Sequence, residues 1–69
     1  MEYLNEMIIT NIATDLGVKV EQVNAVLDLL KDEKTVAFIA RYRKEMTGGL
    51  DEEAIRKIED EYNYGVNLL

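Results

Sequence analysis

The sequence contains no cysteine, histidine, serine, proline or tryptophan. Without cysteine there is no disulfide and no thiolate metal site. Without histidine the commonest general base and the commonest transition-metal ligand are missing. With serine absent too, a Ser–His or Cys–His nucleophilic pair is excluded outright. The expectation is a chain that is not an enzyme and takes no metal or other cofactor. Long apolar runs are also lacking. Val36-Ala37-Phe38-Ile39-Ala40 is typical of the longest and falls far short of the ~18 residues that span a membrane. The start, Met1-Glu2-Tyr3, has none of the basic residues that open a secretory signal. These features together predict a cytoplasmic protein with no membrane partner.

What is present is 69 residues, 48% of them apolar, an ordinary globular fraction that argues against disorder. A chain this short makes one domain, residues 1–69, whose core supports only about 3–5 kcal/mol of stability. Fourteen acids against eight bases give a net charge of −6. That opposes a surface gripping a polyanion on all sides but leaves room for a local basic patch. The charge is uneven: residues 34–49 hold four bases and one acid, while the segments on either side are strongly acidic.

Helical spacing recurs along the chain. Leu4, Ile8, Ile12 and Leu16, widened by Met7 and Ile9, predict a helix over about 2–16, closed by Gly17 at the position after the cap. Glu2 and Glu6 suit its positive end. Val23, Val26, Leu27 and Leu30 predict a second helix over about 20–31; Lys19 caps poorly, but Gln22 can reach back to it. After the polar link Asp32-Glu33-Lys34, Thr35 is the N-cap of a third helix over about 36–46, ended by Gly48-Gly49. A wheel at about 100° per residue groups Phe38, Ile39, Tyr42 and Met46 in one arc, and that arc is expected to pack inward. Asp51 caps a fourth helix over about 51–62, with Ala54, Ile55, Ile58 and Tyr62 on one face. Two ion pairs, Glu52 with Arg56 and Glu53 with Lys57, are spaced to support it. Residues 63–69 carry no charge and no clear period and predict a frayed tail, ending on Leu68-Leu69 as though cut from something longer. The fold class is all-α: a small four-helix bundle, helix-turn-helix-like at its second and third helices, a fragment of a larger helical protein.

The basic segment admits two readings. Arg41, Arg43, Lys44 and Lys34 can contact phosphates while Tyr42 stacks on a base. Alternatively, Tyr42 joins Phe38 in the core and Arg41 pairs with Glu45 or with acids of the fourth helix. The inward arc favours the second, with the bases left to dock onto further domains. Sequence-specific DNA reading is disfavoured, because a recognition helix exposes Arg, Asn or Gln near its start, and here stands Val36-Ala37-Phe38-Ile39-Ala40. Gly48-Gly49 lacks the Lys-Ser/Thr of a phosphate-binding loop and reads as helix termination. Asp51, Glu52 and Glu53 read as cap and dipole compensation rather than as a cation site.

Thr35-Val36-Ala37-Phe38-Ile39-Ala40-Arg41-Tyr42-Arg43-Lys44-Glu45-Met46-Thr47-Gly48-Gly49-Leu50-Asp51 resembles the signature of the Tex family of bacterial transcription accessory proteins, T-V-P-F-I-A-R-Y-R-K-E-x-T-G-G-L-D. It departs only at Ala37, where proline is usual; alanine is harmless in a first helical turn. Leu16-Gly17-Val18 and Glu21-Gln22-Val23 resemble the family's preceding L-G-V-x-x-E-Q-V. The likeness covers about residues 8–62. It implies the N-terminal part of a long, multidomain, mostly helical protein whose RNA binding is attributed mainly to a C-terminal OB-fold domain. It also implies partners for this chain: the remaining domains, and RNA or DNA through the full-length protein. The expected role is a scaffold or interaction module, with direct nucleic-acid binding by Arg41, Tyr42, Arg43, Lys44 and Lys34 as the alternative.

Overall fold

Helix N-caps and helix-closing turns organise the chain, and in a computed structural model they give five helices: α1 Glu2–Leu16, α2 Val20–Lys31, α3 Val36–Tyr42, α4 Lys44–Thr47 and α5 Glu52–Asn67. The structure describes residues 2–67, and side chains from Asn5 to Asn67. The expectations placed on Glu2, Leu4, Leu68 and Leu69 lie outside the described residues or side chains. None of these helices is long and apolar enough to cross a membrane.

Local chemistry accounts for most of the boundaries. Thr35 Oγ1 accepts the Phe38 amide at 3.1 Å, and Asp51 Oδ1 accepts that of Ala54 at 2.8 Å. Gln22 Oε1 reaches back to the Lys19 amide at 2.9 Å, which gives α2 a cap that lysine cannot supply. Three helix ends use the same closing turn, with a left-handed residue after the cap: Gly17 (φ 69°), Glu33 (φ 64°) and Gly48 (φ 73°). At Glu33 the Lys34 amide donates to the Leu29 carbonyl and the Glu33 amide to that of Leu30, each at 3.1 Å. Glutamate is strained in this conformation where glycine is not. Glu33→Gly is therefore expected to raise stability by about 0.5–1 kcal/mol despite glycine's looser unfolded state. A urea midpoint equal to or below the parent's contradicts this.

The core runs through all the long helices. Ile12 and Ala13 of α1 meet Val23, Val26, Leu27 and Leu29 of α2, Ile39 of α3, Leu50 of the last link, and Ile55 and Ile58 of α5. α1, α2 and α3 all pack on α5, and α4 packs on α2. Met7, expected to widen the α1 stripe inward, is 45% exposed.

Two boundaries differ from expectation. The third helix is not continuous to Met46 but breaks at Arg43 (φ −130°, ψ 32°) and restarts as α4. Neither proline nor glycine stands at the break. A tertiary contact rewards it: Gln22 Nε2 donates to the Thr47 carbonyl at 2.8 Å, and Thr47 is fully buried. Its Oγ1 also accepts the Leu50 amide at 3.3 Å, so α4 is fastened at its end. The second difference is the tail, where residues 63–67 are helical. A glycine inside a helix costs about 1 kcal/mol. At Gly65, however, a Cβ would lie 3.1–3.3 Å from three atoms of the Ile8 side chain, so glycine is what lets α1 approach α5 this closely.

α1 and α5 also bring two acids together. Glu61 sits above its ordinary value of 4.5, first because partial burial strips water from it and then because Asp15 repels its charge and accepts its proton in a hydrogen bond; Lys57 opposes weakly. A raised carboxyl binds its proton more tightly folded than unfolded. This group's contribution is therefore most favourable below its folded value and is lost as pH rises through it. Glu61→Gln is expected to stabilise the domain near neutrality, with the variant's advantage growing as pH rises from 4.5 through the raised folded value. A pH-independent difference in urea midpoint contradicts this.

Candidate contact face on the third helix

α3 is seven residues long and apolar over most of its circumference, so its packing decides which side turns in. The inward side is Ile39, fully buried, with Val36 and Ala40 packed against the core. The arc of Phe38, Tyr42 and Met46 is not the buried one. Tyr42 is 55% exposed and Met46 51%, and Phe38 is half-buried. The expectation that this arc packs inward is thus overturned; only Ile39 of the predicted set does so. Small side chains admit a closer approach to α5 than the aromatics would, and the two rings are left to pair with each other outside.

The rings of Phe38 and Tyr42 lie 5.1 Å apart, tilted by 48°. The Arg43 guanidinium sits 5.0 Å from the centre of the Phe38 ring and the Lys34 ammonium 5.5 Å from it. Arg43 also donates from a guanidinium nitrogen to the Tyr42 carbonyl at 2.9 Å, meeting an orphan acceptor at the end of α3. The predicted contact residues thus fall into two sets. Lys34 and Arg43 gather over Phe38, whereas Arg41 and Lys44 line an open groove of about 610 Å³ that Phe38 and Tyr42 also border.

Ala37 and Ala40 also line that groove, and Asp51 and Glu52 at the start of α5 bring acids to it. Both acids have local work, Asp51 as the cap of α5 and Glu52 in a 2.8 Å ion pair with Arg56. The other expected pair, Glu53 with Lys57, does not form. Among the described residues no carboxylate lies within 4 Å of Arg41, Arg43 or Lys44, so the pairing expected of Arg41 is not made. Nor does any group of three acids fit a metal ion among the described residues. Met46 is the residue of this face that charge and motif reasoning missed. Its place in the arc with Tyr42 was visible, but the arc's direction was not.

Comparison with known proteins agrees with the likeness read from the basic segment. The model of the Tex-like protein N-terminal domain matches residues 6–69 and so extends past the expected limit at residue 62. The chain is 51% identical over 57 residues to Protein tex of Bordetella pertussis, covering 83% of this chain and 7% of that protein. It is 48% identical over 53 residues to the Transcriptional accessory protein Tex of Neisseria gonorrhoeae, covering 77% and 7%. It is 44% identical over 61 residues to Protein YhgF of Escherichia coli K12, covering 88% and 8%. The chain thus spans under a tenth of the length of these relatives. No solved structure matches it. The chain belongs to the family of Tex-like protein N-terminal domains.

Proposed function

We propose that this domain is the interaction module at the N-terminus of a longer Tex-like transcription accessory protein, acting in the cytoplasm through the α3–α4 face and performing no chemistry of its own. The observation that carries this reading is the outward arc. Tyr42 and Met46 are more than half exposed, and Tyr42 borders a groove with Arg41 and Lys44. Tyrosine, methionine and arginine are the residues that interface cores favour. A domain of 69 residues that leaves such side chains in water has a use for them, and in the relatives most of the protein lies outside the matched segment. Hydrogen exchange tests the reading. Amides 36–47 are expected to exchange more slowly when the domain is joined to the remainder of a Tex-like protein than when it is alone, and unchanged exchange there contradicts it.

Direct binding of RNA or DNA is the second reading, supported by an exposed ring, Tyr42, among Arg41, Arg43 and Lys44, with Lys34 close to Phe38. Weighing against it are the net charge of −6 and the acids Asp51 and Glu52 beside the groove. A titration with a short single-stranded RNA at low salt is expected to leave the amides of residues 41–44 unshifted. Shifts that vanish on adding salt would favour nucleic acid.

A further inference from the structure

The break between α3 and α4 stands where nothing local calls for one. From Thr35 to Thr47 there is neither glycine nor proline, and Arg41, Arg43, Lys44, Glu45 and Met46 are all strong helix formers. The break also gives up backbone bonds. The α3 ladder ends with the Arg43 amide on the Ile39 carbonyl at 3.0 Å, and α4 begins with the Thr47 amide on the Arg43 carbonyl at 3.2 Å. Between them, the amides of Lys44, Glu45 and Met46 do not reach the carbonyls four residues before; that of Met46 turns instead to Arg43 at 3.1 Å. What holds the broken form comes from α2. The Gln22 side chain serves both helices: its oxygen accepts the Lys19 amide at the start of α2, and its nitrogen donates to the Thr47 carbonyl at 2.8 Å. Gly48 leaves room for this, since a Cβ there would stand 2.5 Å from that nitrogen.

We propose that residues 36–47 form a two-position hinge: Gln22 holds them as the broken pair α3–α4, and release of its bond to Thr47 lets them close into one continuous helix. Local sequence favours the continuous form, and one side chain distant in sequence favours the broken one. Such a conflict gives a segment two discrete arrangements rather than a soft bend. Closing makes the three missing ladder bonds and gives up the Gln22 bond and the burial of Thr47. In the continuous form Met46 follows Tyr42 by one turn on the stripe begun by Phe38, whereas in the broken form that stripe is interrupted at Arg43. A partner whose contacts differ between the two forms shifts the balance between them. The hinge goes beyond the contact-face reading and stands without it, because it is defined by bonds within the chain.

The test uses the 69-residue chain in two variants that release Thr47 by different routes. Gln22→Glu keeps an oxygen for the Lys19 amide but has no proton to donate to Thr47 near neutral pH. Gly48→Ala pushes the Gln22 amide away with its methyl. Gly17→Ala is the control: it strains a backbone of the same hand, with nothing within 4 Å of the added methyl. The Cα chemical shift of Arg43 and the hydrogen exchange of the Lys44 and Glu45 amides are followed by NMR. In the parent, Arg43 is expected outside the helical range, with Lys44 and Glu45 exchanging as open amides. In both releasing variants the Arg43 shift is expected to move into the helical range, and the two amides to exchange about tenfold more slowly. Gly17→Ala is expected to match the parent. An Arg43 shift that stays non-helical in either folded variant overturns the hinge, and means that the burial of Thr47 and Leu50 holds the break. The same change in Gly17→Ala also overturns it, since a general loosening then accounts for the result.

Discussion

Ile39→Ala is expected to leave the domain without a measurable cooperative unfolding transition at 25 °C. Ile39 is the fully buried side chain of α3, set in the common core alongside Ile55 and Ile58 of α5 and Val23 and Val26 of α2. Truncating a buried isoleucine to alanine costs about 2–5 kcal/mol, because the lost apolar transfer is joined by a cavity that the neighbours fill only partly. A domain of this size, without disulfide or metal, has about 3–5 kcal/mol in total. Ile39→Val, which costs about 0.5–1.5 kcal/mol, is expected to lower the urea midpoint and keep the transition. An alanine variant that melts within a few degrees of the parent would mean that α3 is dispensable to the fold.

The second large effect is expected at Gly48. Its backbone is left-handed, and a Cβ there would stand 2.5 Å from Gln22 Nε2 and 3.2 Å from Gln22 Cδ. Gly48→Ala therefore carries two costs. The backbone conformation costs an L-residue about 1–2 kcal/mol. Displacing Gln22 breaks its bond to the Thr47 carbonyl, about 0.5–1.5 kcal/mol. Gly17 supplies the internal control. It has the same backbone hand but nothing within 4 Å of its Cβ, so Gly17→Ala is expected to show the backbone cost alone. In a Gln22→Ala background the cost of Gly48→Ala is expected to fall to that of Gly17→Ala, a coupling that a double-mutant cycle in urea reads directly. Strictly additive effects would mean that the α2–α4 bond contributes nothing.

Both effects turn on contacts between segments distant in sequence, and that is where the sequence stops being readable. α1 and α2 begin and end where spacing, the Gly17 turn and the Gln22 reach-back predict, because each of those signals lies within a few residues of what it controls. The caps Thr35 and Asp51 are equally local. The break at Arg43 is different, because its reason is a bond from Gln22, 25 residues before Thr47. The helix through Gly65 depends on Ile8, far away on α1. The direction in which α3 faces is not legible in its sequence. In Val36-Ala37-Phe38-Ile39-Ala40 every side is apolar, so the wheel offers two inward faces and ring size suggests the wrong one. Close packing on α5 selects the smaller side chains, and the positive island at residues 34–49, plain in the sequence, acquires an exposed apolar strip that was not.

Tyr42 and Met46 face water while Ile39 alone of that arc is fully buried. Broadening of side-chain NMR signals by a soluble gadolinium chelate measures this most directly. The Tyr42 ring and Met46 methyl are expected to broaden nearly as strongly as the ring of Tyr64, which is 69% exposed, with the Ile39 methyls untouched. A Tyr42 ring shielded as fully as Ile39 would contradict the account and return the arc to the core.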